Sequence, residues 1–137
     1  MKRVVLISIF TIVSQFLWSQ KVPYNVVFDI TSGDTTDYQS LIRWIKGIYD
    51  SDSTARLEVV FYGQSLNMVL KDKSVVKNDI KELLDKKAVT LKVCGAAMKR
   101  HNIDKSQLLA GVEIVPDGIY EITTKQREGW GYIKVSH

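Results

Sequence analysis

Apolar positions along this chain follow two alternating periods. Residues 24–30 (YNVVFDI), 56–62 (RLEVVFY), 89–93 (VTLKV), 112–115 (VEIV) and 130–135 (WGYIKV) are short runs rich in β-branched and aromatic side chains, which predicts five strands. Between them the spacing lengthens. Tyr38, Leu41, Ile42, Ile45, Ile48 and Tyr49 recur at helical intervals, as do Val76, Ile80, Leu83 and Leu84. Shorter helical stretches are expected over residues 65–70 and 95–100, and a last helix carries Ile119, Ile122 and Gln126 before Gly129 stops it.

Cap chemistry sharpens the boundaries. Thr36 with Gln39 reads as a capping box for the first helix, and Ser74 as the cap of the second. Asp104 with Gln107 offers another capping pattern, and Asp117, after Pro116, caps the last helix. A strand followed by a helix, repeated with short connections, predicts an α/β fold: a three-layer α/β/α domain on an approximately five-stranded, mostly parallel sheet with helices on both faces. In such sheets ligands gather beyond the carboxyl ends of the strands. Here those ends carry Gly33-Asp34, Gly63-Gln64, Cys94-Gly95 and Pro116-Asp117. Tyr38, Trp44 and Tyr49 are expected in the core. Trp130 and Tyr132 share one face of the last strand, either packed under a helix or meeting another copy of the chain.

Residues 1–20 stand apart from this pattern. Lys2 and Arg3 precede an apolar run over residues 4–13 (VVLISIFTIV) and a mixed stretch to Gln20, the layout of a cleaved secretory signal peptide. The run is short for a bilayer span, which takes roughly 20 residues. The expectation is an exported protein, periplasmic or secreted, not membrane-bound after cleavage, whose single domain is residues 21–137.

With 45% hydrophobic and 25% charged residues, the composition is that of one ordinary globular domain. Loss of Lys2 and Arg3 would leave 17 basic against 15 acidic side chains, a net charge of +2. That balance gives no electrostatic footprint for a nucleic acid, and none is expected as partner. The lysines over residues 71–87 are interleaved with acids, as on a solvated helix face.

Candidate chemistry reduces to Cys94, the only cysteine. At a strand end before a helix, its thiol would see backbone donors and the positive end of a dipole, and Lys92, Lys99, Arg100 and His101 are near in sequence. The opposing reading is a small, buried, inert hydrophobe. His101 lies seven residues on and would share a face with Cys94 only if one helix joined them; a solvent-exposed helix-end histidine is expected instead. Residues 31–36 (TSGDTT) are expected to serve turn and cap chemistry rather than to hold a phosphate, which Asp34 and Asp37 would repel. No metal site and no cofactor is expected, and no hydrolase elbow, phosphate-binding loop or dinucleotide fingerprint is present.

Taken together, Val26-Val27-Phe28-Asp29-Ile30, Glu58-Val59-Val60-Phe61-Tyr62-Gly63, Val93-Cys94-Gly95, Val115-Pro116-Asp117-Gly118-Ile119 and Gln126-Arg127-Glu128-Gly129-Trp130-Gly131-Tyr132-Ile133-Lys134 resemble the DsrE/DsrF-like family of small α/β proteins. The resemblance implies a parallel-sheet α/β/α fold and homo-oligomers such as trimers or hexamers. In relay members it implies a cysteine that carries sulfur as a persulfide between donor and acceptor proteins. Cys94 is the one position that matches that cysteine. Two functions follow as expectations: an exported protein that binds or relays sulfur on Cys94, or a non-catalytic oligomeric binding or structural module with the cysteine buried and inert.

Overall fold

The computed structural model describes residues 22–136; the expected signal peptide lies outside them. Five strands form one sheet: β1 (Asn25–Ile30), β2 (Arg56–Phe61), β3 (Thr90–Cys94), β4 (Glu113–Val115) and β5 (Gly131–Val135). Their order is β4-β3-β2-β1-β5, and every neighbouring pair is parallel. The helices are α1 (Thr35–Ser51), α2 (Lys77–Asp85), α3 (Gly95–Arg100) and α4 (Gly118–Arg127), with 3-10 segments at Gly63–Val69 and Lys105–Gln107. This is the α/β architecture that the alternation of periods predicts.

Side-chain alternation divides the sheet into two unlike faces. On the first, Val26, Phe28 and Ile30 of β1, Leu57, Val59 and Phe61 of β2, and Leu91 and Val93 of β3 are buried beneath Leu41 and Ile45 of α1, Ile80 and Leu83 of α2, and Met98 of α3. On the second, the described residues form a small buried apolar cluster, Val27, Val60 and Ile122, with Tyr62 and Trp130 packed at its edge. Among the described residues a single helix, α4, lies over β1, β2, β3 and β5 there. Of its ten residues only Gly118 and Ile122 are buried, so its apolar attachment is about one large side chain, roughly 2 kcal/mol.

Several local expectations shift by two residues or change partner. The cap of α1 is Asp34, not Thr36: its Oδ1 accepts from the Thr36 N–H and the Thr36 hydroxyl, both at 2.8 Å. The helix therefore starts two residues earlier than the Thr36–Gln39 pattern requires. Replacing Asp34 with alanine is expected to cost about 1 kcal/mol, read as a lowered urea midpoint. Ser74 does not cap α2. Val76 occupies that position with its side chain in the core, and the Ser74 hydroxyl is buried without a hydrogen-bond partner. Asp104 and Gln107 do form a reciprocal box, and Asp117 caps α4 by accepting from the Tyr120 N–H at 2.9 Å. Gly129, at φ +84°, ends α4 as expected.

Trp44 is not core. Tyr38 is buried, but Trp44 is 37% exposed. It sits beside the buried stripe of α1 and lines, with Tyr24, Ile48 and Ile133, an open apolar groove of about 510 Å³. Ile119 points outward from α4 and is 62% exposed.

Candidate functional site

Cys94 closes β3 and is the N-cap residue of α3, the junction expected from the sequence. Val115 pairs with it on β4, and one step beyond the Phe61–Val93 pair Tyr62, the residue that follows β2, lies beside it. Alternation turns its side chain to the second face, under α4. There the first turn of α4 comes so close that a Cβ on Gly118 would stand 3.1 Å from the Cys94 Cβ, 3.0 Å from Val60 Cγ1 and 3.6 Å from the Tyr62 ring. Gly118 is present because only a residue without a side chain admits this approach. Beneath it Cys94 is 4% exposed.

The positive surroundings expected of the thiol are dispersed. Lys92, two residues earlier on the same face, is held by Glu121 of α4 at 2.6 Å and by Glu58 of β2 at 3.0 Å. Its ammonium is therefore committed to carboxylates. Lys99, Arg100 and His101 occupy the exposed far end of α3, where His101 is the C-cap residue. The helix has ended there, so Cys94 and His101 share no continuous helical face. Among the described residues no group of three or more His, Cys, Asp or Glu side chains could hold a metal ion. Residues 31–36 serve the turn and cap: Ser32 Oγ accepts from the Asp34 N–H at 3.0 Å, and the Thr31 carbonyl accepts from the Gln64 and Ser65 N–H groups.

Beside Cys94 the sheet carries a second polar group that the sequence reading did not assign. Asp29 of β1 is buried on the same face. Its Oδ2 accepts from the Tyr132 hydroxyl at 2.7 Å and its Oδ1 from Lys134 Nζ at 3.1 Å; Lys134 also reaches Thr31 Oγ1 at 3.1 Å and lies over the Tyr62 ring. Burial, with the Asp29 carboxylate adding to it, pushes the Tyr132 phenol up to about 12 and raises the Tyr62 phenol as well. Both stay protonated through the physiological range. One sequence signal was available: Asp29 is a lone acid inside an otherwise apolar run, and Tyr132 and Lys134 are spaced to share a face.

Towards the amino ends of the strands the same face holds a buried ionic group. One ammonium, Lys92, sits between two carboxylates. Burial raises Glu58 above the ordinary carboxylate range, and its Oε1 has no hydrogen-bond partner. Burial acts on Glu121 too, but the hydrogen bond and charge of Lys92 outweigh it and leave Glu121 lowered. Nearby, Lys125 and Arg56 lie over the Trp130 ring at 4.8 and 5.3 Å. Trp130 is thus packed under the end of α4, one of the two roles expected for it.

A five-stranded parallel sheet with one cysteine at a strand-to-helix junction defines a small α/β protein with a single thiol at the carboxyl edge of its sheet. The model of the DsrE/DsrF-like family matches residues 25–135, and the chain belongs to that family, which is linked to sulfur relay. A protein of unknown function, MTH1491 from Methanobacterium thermoautotrophicum, is 32% identical, with a TM-score of 0.76 over 81% of this chain and 98% of its own. Two further structures share the fold. BT1422 from Bacteroides thetaiotaomicron is 17% identical, with a TM-score of 0.68 over 82% of this chain and 95% of its own. The ychN protein from E. coli is 15% identical, with a TM-score of 0.65 over 82% of this chain and 99% of its own. The comparison with curated proteins found no match.

Proposed function

We propose that Cys94 is a sulfur carrier, which takes a sulfane sulfur from a persulfide or polysulfide and passes it to an acceptor thiol. The observation that supports this most is the position of the lone thiol, at the carboxyl end of β3 and at the start of α3, in a chain of a family linked to sulfur relay.

The chemistry balances without a redox partner. The Cys94 thiolate attacks the outer sulfur of a donor persulfide; the donor's S–S bond breaks, the donor leaves as a thiolate, and Cys94 carries the persulfide. An acceptor thiolate then attacks that outer sulfur, and Cys94 is released as thiolate. Tyr62, protonated and against the thiol, presents an uncharged wall to the anionic persulfide. The proposal includes export by residues 1–20, assembly of the domain into trimers or hexamers, and a protein that supplies or accepts the sulfur.

Incubation of the purified protein with polysulfide, followed by intact mass measurement, is expected to show a gain of one sulfur atom's mass that dithiothreitol removes. Cys94→Ser is expected to show none. A wild-type protein that gains no sulfur, or a gain that survives the substitution, would overturn the proposal.

One observation favours the second reading, an oligomeric binding or structural module: Cys94 is 4% exposed. That reading expects the thiol to resist labelling until the protein unfolds.

A further inference from the structure

A carrier thiol must be reached twice, once to load and once to unload, and Cys94 is covered. We propose that the first turn of α4, residues 118–120, is the cover through which Cys94 is reached, and that Glu121, through its ion pair with Lys92, is the positioning residue that sets how often the cover opens. The inference rests on the carrier reading for its purpose, but not for its test.

The geometry singles out this turn. It comes against Cys94 through Gly118, whose missing side chain leaves room for the approach: a Cβ there would stand 3.1 Å from the Cys94 Cβ. The next two residues point away: Ile119 is 62% and Tyr120 65% exposed, so neither contributes apolar attachment. The rest of α4 is fastened further along, by Ile122 in the cluster with Val27 and Val60 and by Lys125 over Trp130. Between the free turn and the fastened half stands Glu121, whose carboxylate meets Lys92 Nζ at 2.6 Å. Lys92, a residue of β3, also meets Glu58 of β2 at 3.0 Å, which anchors the ammonium on the sheet. Cys94 also packs into the continuous apolar core that α1, α2 and α3 close on the first face, so that side offers no comparable route. Segments with few buried apolar contacts open at low cost, and the first turn of α4 is such a segment.

Glu121→Gln keeps the shape of the side chain and removes the charge that pairs with Lys92. Gly118→Ala acts from the other side, by wedging a methyl group against Cys94 and Val60. Lys46→Met is the control: it breaks ion pairs with Asp79 and Glu82 between α1 and α2, away from the thiol.

The test measures the rate at which a small disulfide reagent labels Cys94 under native conditions, with hydrogen exchange followed by mass spectrometry on the same proteins. Glu121→Gln is expected to label roughly fivefold faster, the factor that about 1 kcal/mol of lost attachment produces. Its exchange should quicken in residues 116–122 while β1, β2 and β3 keep their protection. Gly118→Ala should also label faster, and Lys46→Met at the wild-type rate. Wild-type rates in both Glu121→Gln and Gly118→Ala would overturn the inference. So would faster labelling matched by equally faster exchange through the strands, since that is global unfolding. Labelling reads access alone, so a Cys94 that opens in this way yet takes up no sulfur would refute the carrier reading and leave the cover in place.

Discussion

Replacing Lys92 with methionine is expected to destabilise the folded chain by about 4 kcal/mol at neutral pH, because it leaves two carboxylates facing each other with no cation between them. Glu58 and Glu121 both reach Lys92 Nζ, at 3.0 and 2.6 Å, and Glu58 has a second oxygen already without a partner. The stem of methionine fills nearly the same volume, so the loss is electrostatic rather than a cavity. Lys125, 4.0 Å from Glu121, offsets part of it.

The dependence on pH separates this cause from simple packing. In the native protein Glu58 is raised, so its contribution to stability is full below the ordinary carboxylate range and declines as pH rises through its folded value. Glu121 is lowered, and its contribution is present above the ordinary range and lost as pH falls through its folded value. The two oppose each other in the wild type. Without Lys92 both carboxyls are driven towards the protonated form. The deficit of Lys92→Met should therefore shrink as pH falls below the ordinary carboxylate range, and a second substitution, Glu58→Gln, should restore part of the loss at neutral pH. Urea unfolding across this pH range, with the double-mutant cycle, measures both. A deficit that does not change with pH would mean that the ionic group is not its origin.

Lys92 also shows what a linear reading can and cannot see. Its alternating position in residues 89–93 marks it as a strand residue, and its nearness to Cys94 in sequence invites its use as positive potential for the thiol. The structure gives that charge to Glu58 and Glu121, which lie 34 residues before and 29 after it. The strands themselves were legible because β-branched runs closed by Gly, Pro or polar turns leave little choice of conformation. Cys94 was legible for the same local reason, as the last residue of one run before a glycine. The order β4-β3-β2-β1-β5 was not. It places the last strand beside the first, and no local pattern encodes which edge a closing strand joins. Trp44 illustrates the residual ambiguity at the side of an apolar stripe: helical spacing puts it within reach of the core, and only the neighbouring strand edge decides that it lines an open groove instead.

The pairing of β5 with β1 creates the other polar group near the thiol, and its removal has an equally distinct signature. Asp29→Ala is expected to cost about 2 kcal/mol, the scale for leaving partners of a buried, charge-assisted hydrogen bond unsatisfied. Asp29 is 5% exposed and receives Tyr132 and Lys134 from the same edge strand, which is parallel to β1 with Val27 opposite Tyr132 and Asp29 opposite Lys134. Lys134 is part-exposed and turns to water when the carboxylate is gone, which keeps the cost below that of Lys92. Tyr132 then loses the anion that its hydroxyl serves. Its phenol, pushed up to about 12 in the native protein by burial and by Asp29, should fall towards the ordinary value of about 10. An absorbance titration of Asp29→Ala against wild type, with Tyr132→Phe to identify the signal, reads that fall. Because β5 is an edge strand held on one side only, loss of the Asp29 group should also quicken amide exchange in β5 before β2 or β3. Unchanged exchange in β5, together with an unmoved phenol, would show that Asp29 does not fasten this edge.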